Sequence, residues 1–202
     1  MKKTNPNKRK KIKQTHNNSP FRGLGGLFLL FFILSPFFSQ AKIHIKTGIE
    51  VLKESKFKAL EGKRVGLITN ATGVDNNLKS TVDILSEAPN VKLVALYAPE
   101  HGVRGDIYAG DKVEDTIDPK TGIPVYSLYG KKREMFASMM KDIDVLVYDI
   151  QDIGCRSYTF ISTMGQAMQT AAENNLEFVV LDRPNPLGGE KVEGNLVEEG
   201  FF

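Results

Sequence analysis

Residues 144–149, Asp-Val-Leu-Val-Tyr-Asp, decide the fold. Four consecutive apolar side chains, Val145 to Tyr148, stand between two aspartates. They lack the in–out alternation of a strand with one wet face, so the run predicts a strand covered on both faces. Strands of that kind belong to parallel sheets with helices on either side. Working outward, 63–70 (KRVGLITN) and 91–98 (VKLVALYA) are two more β-rich runs, and 177–182 (EFVVLD) reads as another buried strand. Between them, 79–88 has helical spacing, with Val82, Leu85 and Leu78 on one face, and Pro89-Asn90 stops it. Residues 133–141 and 158–175 read as further helices. Residues 113–116 and 123–126 flank Asp118-Pro-Lys-Thr-Gly122 as a small hairpin. The expected fold class is α/β: a Rossmann-like, mostly parallel sheet flanked by helices.

The chain has 202 residues, 41% of them hydrophobic and 25% charged, with a single cysteine. A disordered chain and a disulfide-stapled miniprotein are both excluded. The net charge of +3 is misleading. Eight of the 27 basic residues and none of the 24 acids lie in 1–41, which leaves 19 against 24 and a charge of −5 for 42–202. The folded part lacks the basic footprint that phosphate backbones require, so no nucleic-acid partner is expected. Residues 1–41 read instead as an export signal. A basic start is followed by an apolar run at 24–38, and Ser39-Gln40-Ala41 places small residues at −3 and −1 of a cleavage site. The apolar run is shorter than the roughly 20 residues of a spanning helix. The expectation is an exported protein, periplasmic or extracellular, touching a membrane only through an uncleaved signal segment. The domain then occupies 42–202.

In open parallel sheets, ligands bind outside the carboxyl ends of the strands. Four polar clusters fall at such ends. The first strand runs into Asn70-Ala-Thr-Gly-Val74 and the second into Pro99-Glu-His-Gly-Val-Arg-Gly105. The third runs into Asp149-Ile-Gln-Asp-Ile-Gly-Cys-Arg-Ser-Tyr158, the last into Asp182-Arg-Pro-Asn-Pro-Leu-Gly-Gly189. If the strands are neighbours, the clusters meet on one rim. Glu100 is the first candidate: a carboxyl between backbone segments can have a raised pKa and donate a proton, the alternative being a capping or arginine-paired glutamate. His101 supports it as a shuttle, a donor or a structural imidazole. Arg104 and Arg156 suit a bidentate grip on a carboxylate, or ion pairs with Asp106, Asp149 or Asp152. Asp149, Asp152 and Asp182 could orient sugar hydroxyls, or one of them could complete a carboxylate pair. Asn70 and Asn185 offer amides. Tyr158 offers a ring to a sugar face or to the start of a helix core.

Other chemistries find no support. The sequence has no G-x-G-x-x-G, no Walker loop and no G-x-S-x-G elbow. A zinc site would need His44 and His101 to meet without H-E-x-x-H or paired cysteines. No cofactor is expected. Cys155 has no obvious base nearby and reads as a small buried side chain.

The four clusters, in this order, resemble the NamZ-type exo-β-N-acetylmuramidases, a bacterial peptidoglycan-recycling family, over about residues 46–202. The resemblance implies a Rossmann-like domain that carries the pocket, followed by a smaller β-rich domain. It also implies removal of terminal N-acetylmuramic acid from the non-reducing end of peptidoglycan fragments. The family's glutamate in P-E-H-G maps onto Glu100. Family members are longer than this chain, which ends at Glu198-Glu-Gly-Phe-Phe202. The β-rich domain is therefore expected to be missing, with exposed apolar surface where it would pack. Ala71 stands where the family commonly has proline, which implies a looser turn. Glycoside hydrolysis needs a proton donor and a nucleophile or base. Glu100 is the expected general acid/base, with His101 and Asp149 beside it. The second group is Asp149, Asp152, Asp182 or the substrate's own 2-acetamido oxygen. The competing expectation is a binding module that holds a muropeptide or sugar without cleaving it.

Overall fold

A computed structural model describes residues 45–108, 114–128 and 136–200. The expected export signal at 1–41, the start of the expected hairpin at Val113 and the start of the helix expected at 133–141 lie outside the described residues.

Six strands form one sheet in the order β3-β4-β2-β1-β5-β6. They are β1 (Arg64–Thr69), β2 (Lys92–Ala98), β3 (Thr116–Ile117), β4 (Pro124–Ser127), β5 (Val145–Asp149) and β6 (Glu177–Val180). The pairs β1–β2, β1–β5, β2–β4 and β5–β6 are parallel, and only β3 runs antiparallel, against β4. The five parallel strands are therefore ordered as in the first five strands of a dinucleotide-binding fold. The chain starts in the middle at β1, builds outward through β2 and β4, then crosses back to β5 on β1's other side. The reversal falls between β1 and β5, where such sheets open a crevice.

Helices cover both faces. They are α1 (Gly48–Glu54), α2 (Thr81–Ser86), α3 (Phe136–Met139) and α4 (Phe160–Glu173). Period-two alternation divides each central strand between two cores. Val65, Leu67, Val145 and Val147 face α1 and α2, packing with Ile49, Leu52, Val82 and Leu85. Ile68, Leu146 and Tyr148 turn to the other face and pack with Met140, Ile143, Ala167 and Ala171. All five β5 residues are buried, as the uninterrupted run at 145–149 required. Two buried tyrosines tie sheet to helix: the Tyr97 hydroxyl donates to the Met139 carbonyl at 2.8 Å, and the Tyr148 hydroxyl to Phe160 at 2.9 Å.

Several expectations need correcting. The helix α1 was not foreseen, although Thr47-x-x-Glu50 before Val51-Leu52 is a capping box: the Thr47 amide donates to Glu50 Oε2 at 2.9 Å. Leu78 does not share the α2 face. It precedes the N-cap Ser80, sits at φ +61° and is 81% exposed. The strand β6 is an edge, not an interior strand, and Glu177 and Val180 are exposed. Cys155 is exposed rather than buried. Apolar exposure concentrates after residue 150, at Ile161, Met168, Val180, Leu187, Val192 and Leu196.

Candidate functional site

Because β2, β1, β5 and β6 are consecutive and parallel, the segments that follow them leave the sheet on the same side. Their contacts show how closely they meet. A Cβ on Gly105, at φ +74°, would stand 2.7 Å from the Ala71 Cβ, so the loop after β2 rests on the turn after β1. The Gln151 amide donates to Thr72 Oγ1 at 2.9 Å, joining the β1 turn to the β5 loop. Gln151 Nε2 donates to the Pro184 carbonyl at 3.0 Å, and a Cβ on Gly154 would meet the Asn185 amide at 2.8 Å. The β5 and β6 loops are thereby packed together.

Two buried ionic knots lie beneath this rim. Asp149, the last residue of β5, is wholly inaccessible, and Arg183 clamps it bidentately: Nε to Oδ1 at 2.6 Å, Nη2 to Oδ2 at 3.0 Å. The Thr81 hydroxyl donates to the same Oδ2. Burial pushes the Asp149 carboxyl up, and the guanidinium and hydroxyl pull it back. Both oxygens are thus committed to Arg183 and Thr81, which sets Asp149 apart from the more accessible carboxylates of the rim. The second knot holds Arg104. Its Nε donates to Asp118 Oδ1 at 2.5 Å, and its Nη2 to Asp118 Oδ2 at 2.9 Å and to Asp83 Oδ1 at 3.0 Å. Arg104 holds the Asp118 carboxyl at about 2, and the paired carboxylates push the guanidinium's own pKa up. Arg104 therefore pins the loop after β2 to the hairpin and to α2. Its partners are Asp83 and Asp118, not Asp106, Asp149 or Asp152. A cavity of about 360 Å³ lies between that loop and the hairpin, lined by Arg104, Asp118, Val103, Ile107 and Val125 but not by Glu100.

On the rim itself the pattern reverses. Glu100 is half-buried just past the C-terminal end of β2, and among the described residues no hydrogen bond or ion pair engages its carboxylate. His101 beside it has φ +73°, a left-handed conformation costly for a side chain with a Cβ and maintained only where its surroundings fix it. Nδ1 lies 3.3 Å from the Ile107 carbonyl; a carbonyl only accepts, so this contact places a proton on Nδ1. Arg156 is exposed, and Nη1 donates to the Asn195 carbonyl at 2.6 Å. No ion pair engages it among the described residues.

The remaining candidates serve mainly their own loops. Asn70 Oδ1 accepts from the Thr72 amide at 2.9 Å and the Thr72 hydroxyl at 2.6 Å. Asp152 Oδ1 accepts from the Gly154 amide at 2.6 Å, and Asn185 Oδ1 from the Leu187 amide at 2.9 Å. These are the side-chain-to-backbone turns that Asn and Asp commonly make. Asp182 is exposed and accepts from the Arg183 amide at 2.9 Å. Tyr158 is 45% exposed, its ring tilted against Phe160 with centroids 5.9 Å apart. Arg183 was not foreseen. The signal was a lone arginine after a strand-ending aspartate, and its partner lies 34 residues away.

Fold and site together define a Rossmann-like α/β domain whose strand ends present a half-buried, unengaged Glu100 carboxylate on a rim braced by buried ion pairs. The profile described as "Exo-beta-N-acetylmuramidase NamZ, N-terminal" matches residues 65–202, and the chain belongs to that family. It is 56% identical over 160 residues to the peptidoglycan beta-N-acetylmuramidase NamZ of Bacillus subtilis strain 168, covering 79% of this chain and 39% of that protein. Two crystal structures of DUF1343 family proteins from Bacteroides fragilis NCTC 9343 share its fold. One is 72% identical with a TM-score of 0.72, covering 79% of this chain and 40% of the other. The second is 40% identical with a TM-score of 0.55, covering 70% and 35%. The chain spans about two-fifths of the length of these relatives.

Proposed function

We propose that this chain carries the acid/base loop of a glycosidase that releases terminal N-acetylmuramic acid from the non-reducing end of peptidoglycan fragments. One observation carries the reading: Glu100 is half-buried at the end of β2 with no hydrogen bond or ion pair on its carboxylate among the described residues, while Asp118 and Asp149 beneath it are locked into ion pairs. Family membership supports the same chemistry. Glu100 protonates the glycosidic oxygen as the bond from that oxygen to C1 breaks, and the sugar develops oxocarbenium character. Water then adds to C1 and returns its proton to the carboxylate. His101 lies next in the chain, with Nδ1 turned to the Ile107 carbonyl and Nε2 left for a substrate hydroxyl. Asp149 is spent on Arg183, so the group that stabilises C1 is Asp152, Asp182 or the substrate's 2-acetamido oxygen. Arg156, which makes no ion pair among the described residues, receives the lactyl carboxylate that distinguishes N-acetylmuramic acid from N-acetylglucosamine. Residues 1–41 direct the chain out of the cytoplasm, where its substrate lies.

The test mixes the purified chain with a chromogenic N-acetylmuraminide and follows pigment and free sugar. The expected result is stoichiometric release of both. Saturable binding of the free sugar with no release would overturn the hydrolase and leave a binding module.

A further inference from the structure

We infer that Arg183 is a positioning residue for the rim, acting through its buried pair with Asp149. The guanidinium is 6% exposed and reaches three segments at once. Nε and Nη2 hold Asp149 at the end of β5, Nη2 also donates to the Val74 carbonyl at 2.8 Å, and Arg183's own backbone continues from β6. Asp149 in turn accepts from Thr81, the first residue of α2. The knot sits at the reversal between β1 and β5, where a ligand crevice is expected.

A buried ion pair is seldom the most stabilising filling for such a space, because desolvating two charges offsets most of their attraction. What it adds is orientation. A planar fork with fixed donors permits one arrangement of the groups it touches. Here that arrangement sets where Asn70-Ala-Thr-Gly-Val74 lies relative to β5, and the consequence reaches Glu100. Gly105, at the end of the Glu100 loop, has no room for a Cβ against Ala71 of that turn. The Gln151 amide, two residues past Asp149, is held by Thr72 of the same turn. Moving the 70–74 turn therefore moves both the Glu100 loop and the loop that carries Asp152 and Arg156.

The catalytic consequence rests on the glycosidase reading; the positioning role does not. Arg183→Lys in the full chain keeps the charge that Asp149 needs and removes the fork. Hydrogen exchange at 70–74, 99–105 and 150–154 is expected to accelerate about tenfold, while β1 and β5 amides keep their protection. A merely stabilising arginine would speed exchange everywhere together, strands included. That uniform change, or loops exchanging as in the unaltered protein, would overturn the inference. In turnover of the muraminide, kcat is expected to fall about 10- to 100-fold with KM within about twofold, as for misplaced reacting groups. An unchanged kcat beside an active parent chain would sink this inference alone. An inactive parent chain whose loops still loosen selectively in Arg183→Lys would sink the glycosidase reading and uphold the positioning role. If Arg183→Lys does not fold, Thr81→Val removes one hydroxyl from the same carboxylate. The same loops should then loosen to a smaller degree, and no change would overturn the inference.

Discussion

Asp149 and Glu100 both mark the C-terminal end of a parallel strand, β5 for one and β2 for the other, one strand removed from each other across β1. Their surroundings are opposite. Asp149 is fully buried, with both oxygens taken by Arg183 and Thr81. Glu100 is half-buried, with nothing among the described residues on its carboxylate. The arginines divide the same way: Arg104 and Arg183 are ion-paired with carboxylates below the rim, while Arg156 meets only a carbonyl. A crowd of ionisable groups at strand ends is thus two populations. One braces the loops, and the other has no charged partner among the described residues.

That contrast can be broken by experiment. The largest effect is expected from Asp149→Ala, which strands the Arg183 charge in the interior. Removing one partner of a buried pair costs about 3–5 kcal/mol, read from urea unfolding. A loss below 1 kcal/mol would show that the knot does not brace the fold. Next comes Asp118→Asn, expected to cost about 1–3 kcal/mol because Arg104 loses one of its two charged acceptors and keeps Asp83. It also carries a pH signature. The folded carboxyl lies at about 2, below its ordinary 3.8, so its contribution is complete above that ordinary value and fades as the pH falls toward 2. The unaltered chain should lose stability over that interval, and Asp118→Asn should lose less of it. Smaller again is Arg156→Ala. Turnover of a muraminide should drop about tenfold, with a matched N-acetylglucosaminide little changed, the loss of one charged hydrogen bond. Equal losses on both would remove the lactyl contact. The smallest is Leu78→Ser, within about 0.5 kcal/mol of the parent, because that side chain lies in solvent.

The fold was legible where physics is local. An uninterrupted apolar run such as 145–148 has few options besides a strand under two layers of helix, and the helical spacing over 79–88 is a helix that the structure keeps at Thr81–Ser86. Edge and interior are harder to tell apart. Residues 177–182 are as apolar as 144–149, yet β6 has no neighbour beyond it, and sheet order is not written in any one segment. The convergence of the four loops followed from strand order and was legible as a conditional. Which ionisable groups pair was not. Arg104 meets Asp118 only because the β3–β4 hairpin folds back beneath it, and Arg183 meets Asp149 only because β5 and β6 are neighbours. Spacing lists the candidates, and three-dimensional pairing shows which of them, Arg104 and Asp149, are held in buried ion pairs.

The most direct measurement is made on folded Glu100→Gln, following muraminide cleavage and free-sugar binding in the same sample. Glutamine keeps the shape and cannot donate the proton, so release should fall by about 10²–10⁴-fold while binding stays near that of the parent. Cleavage at the parent's rate would contradict the account.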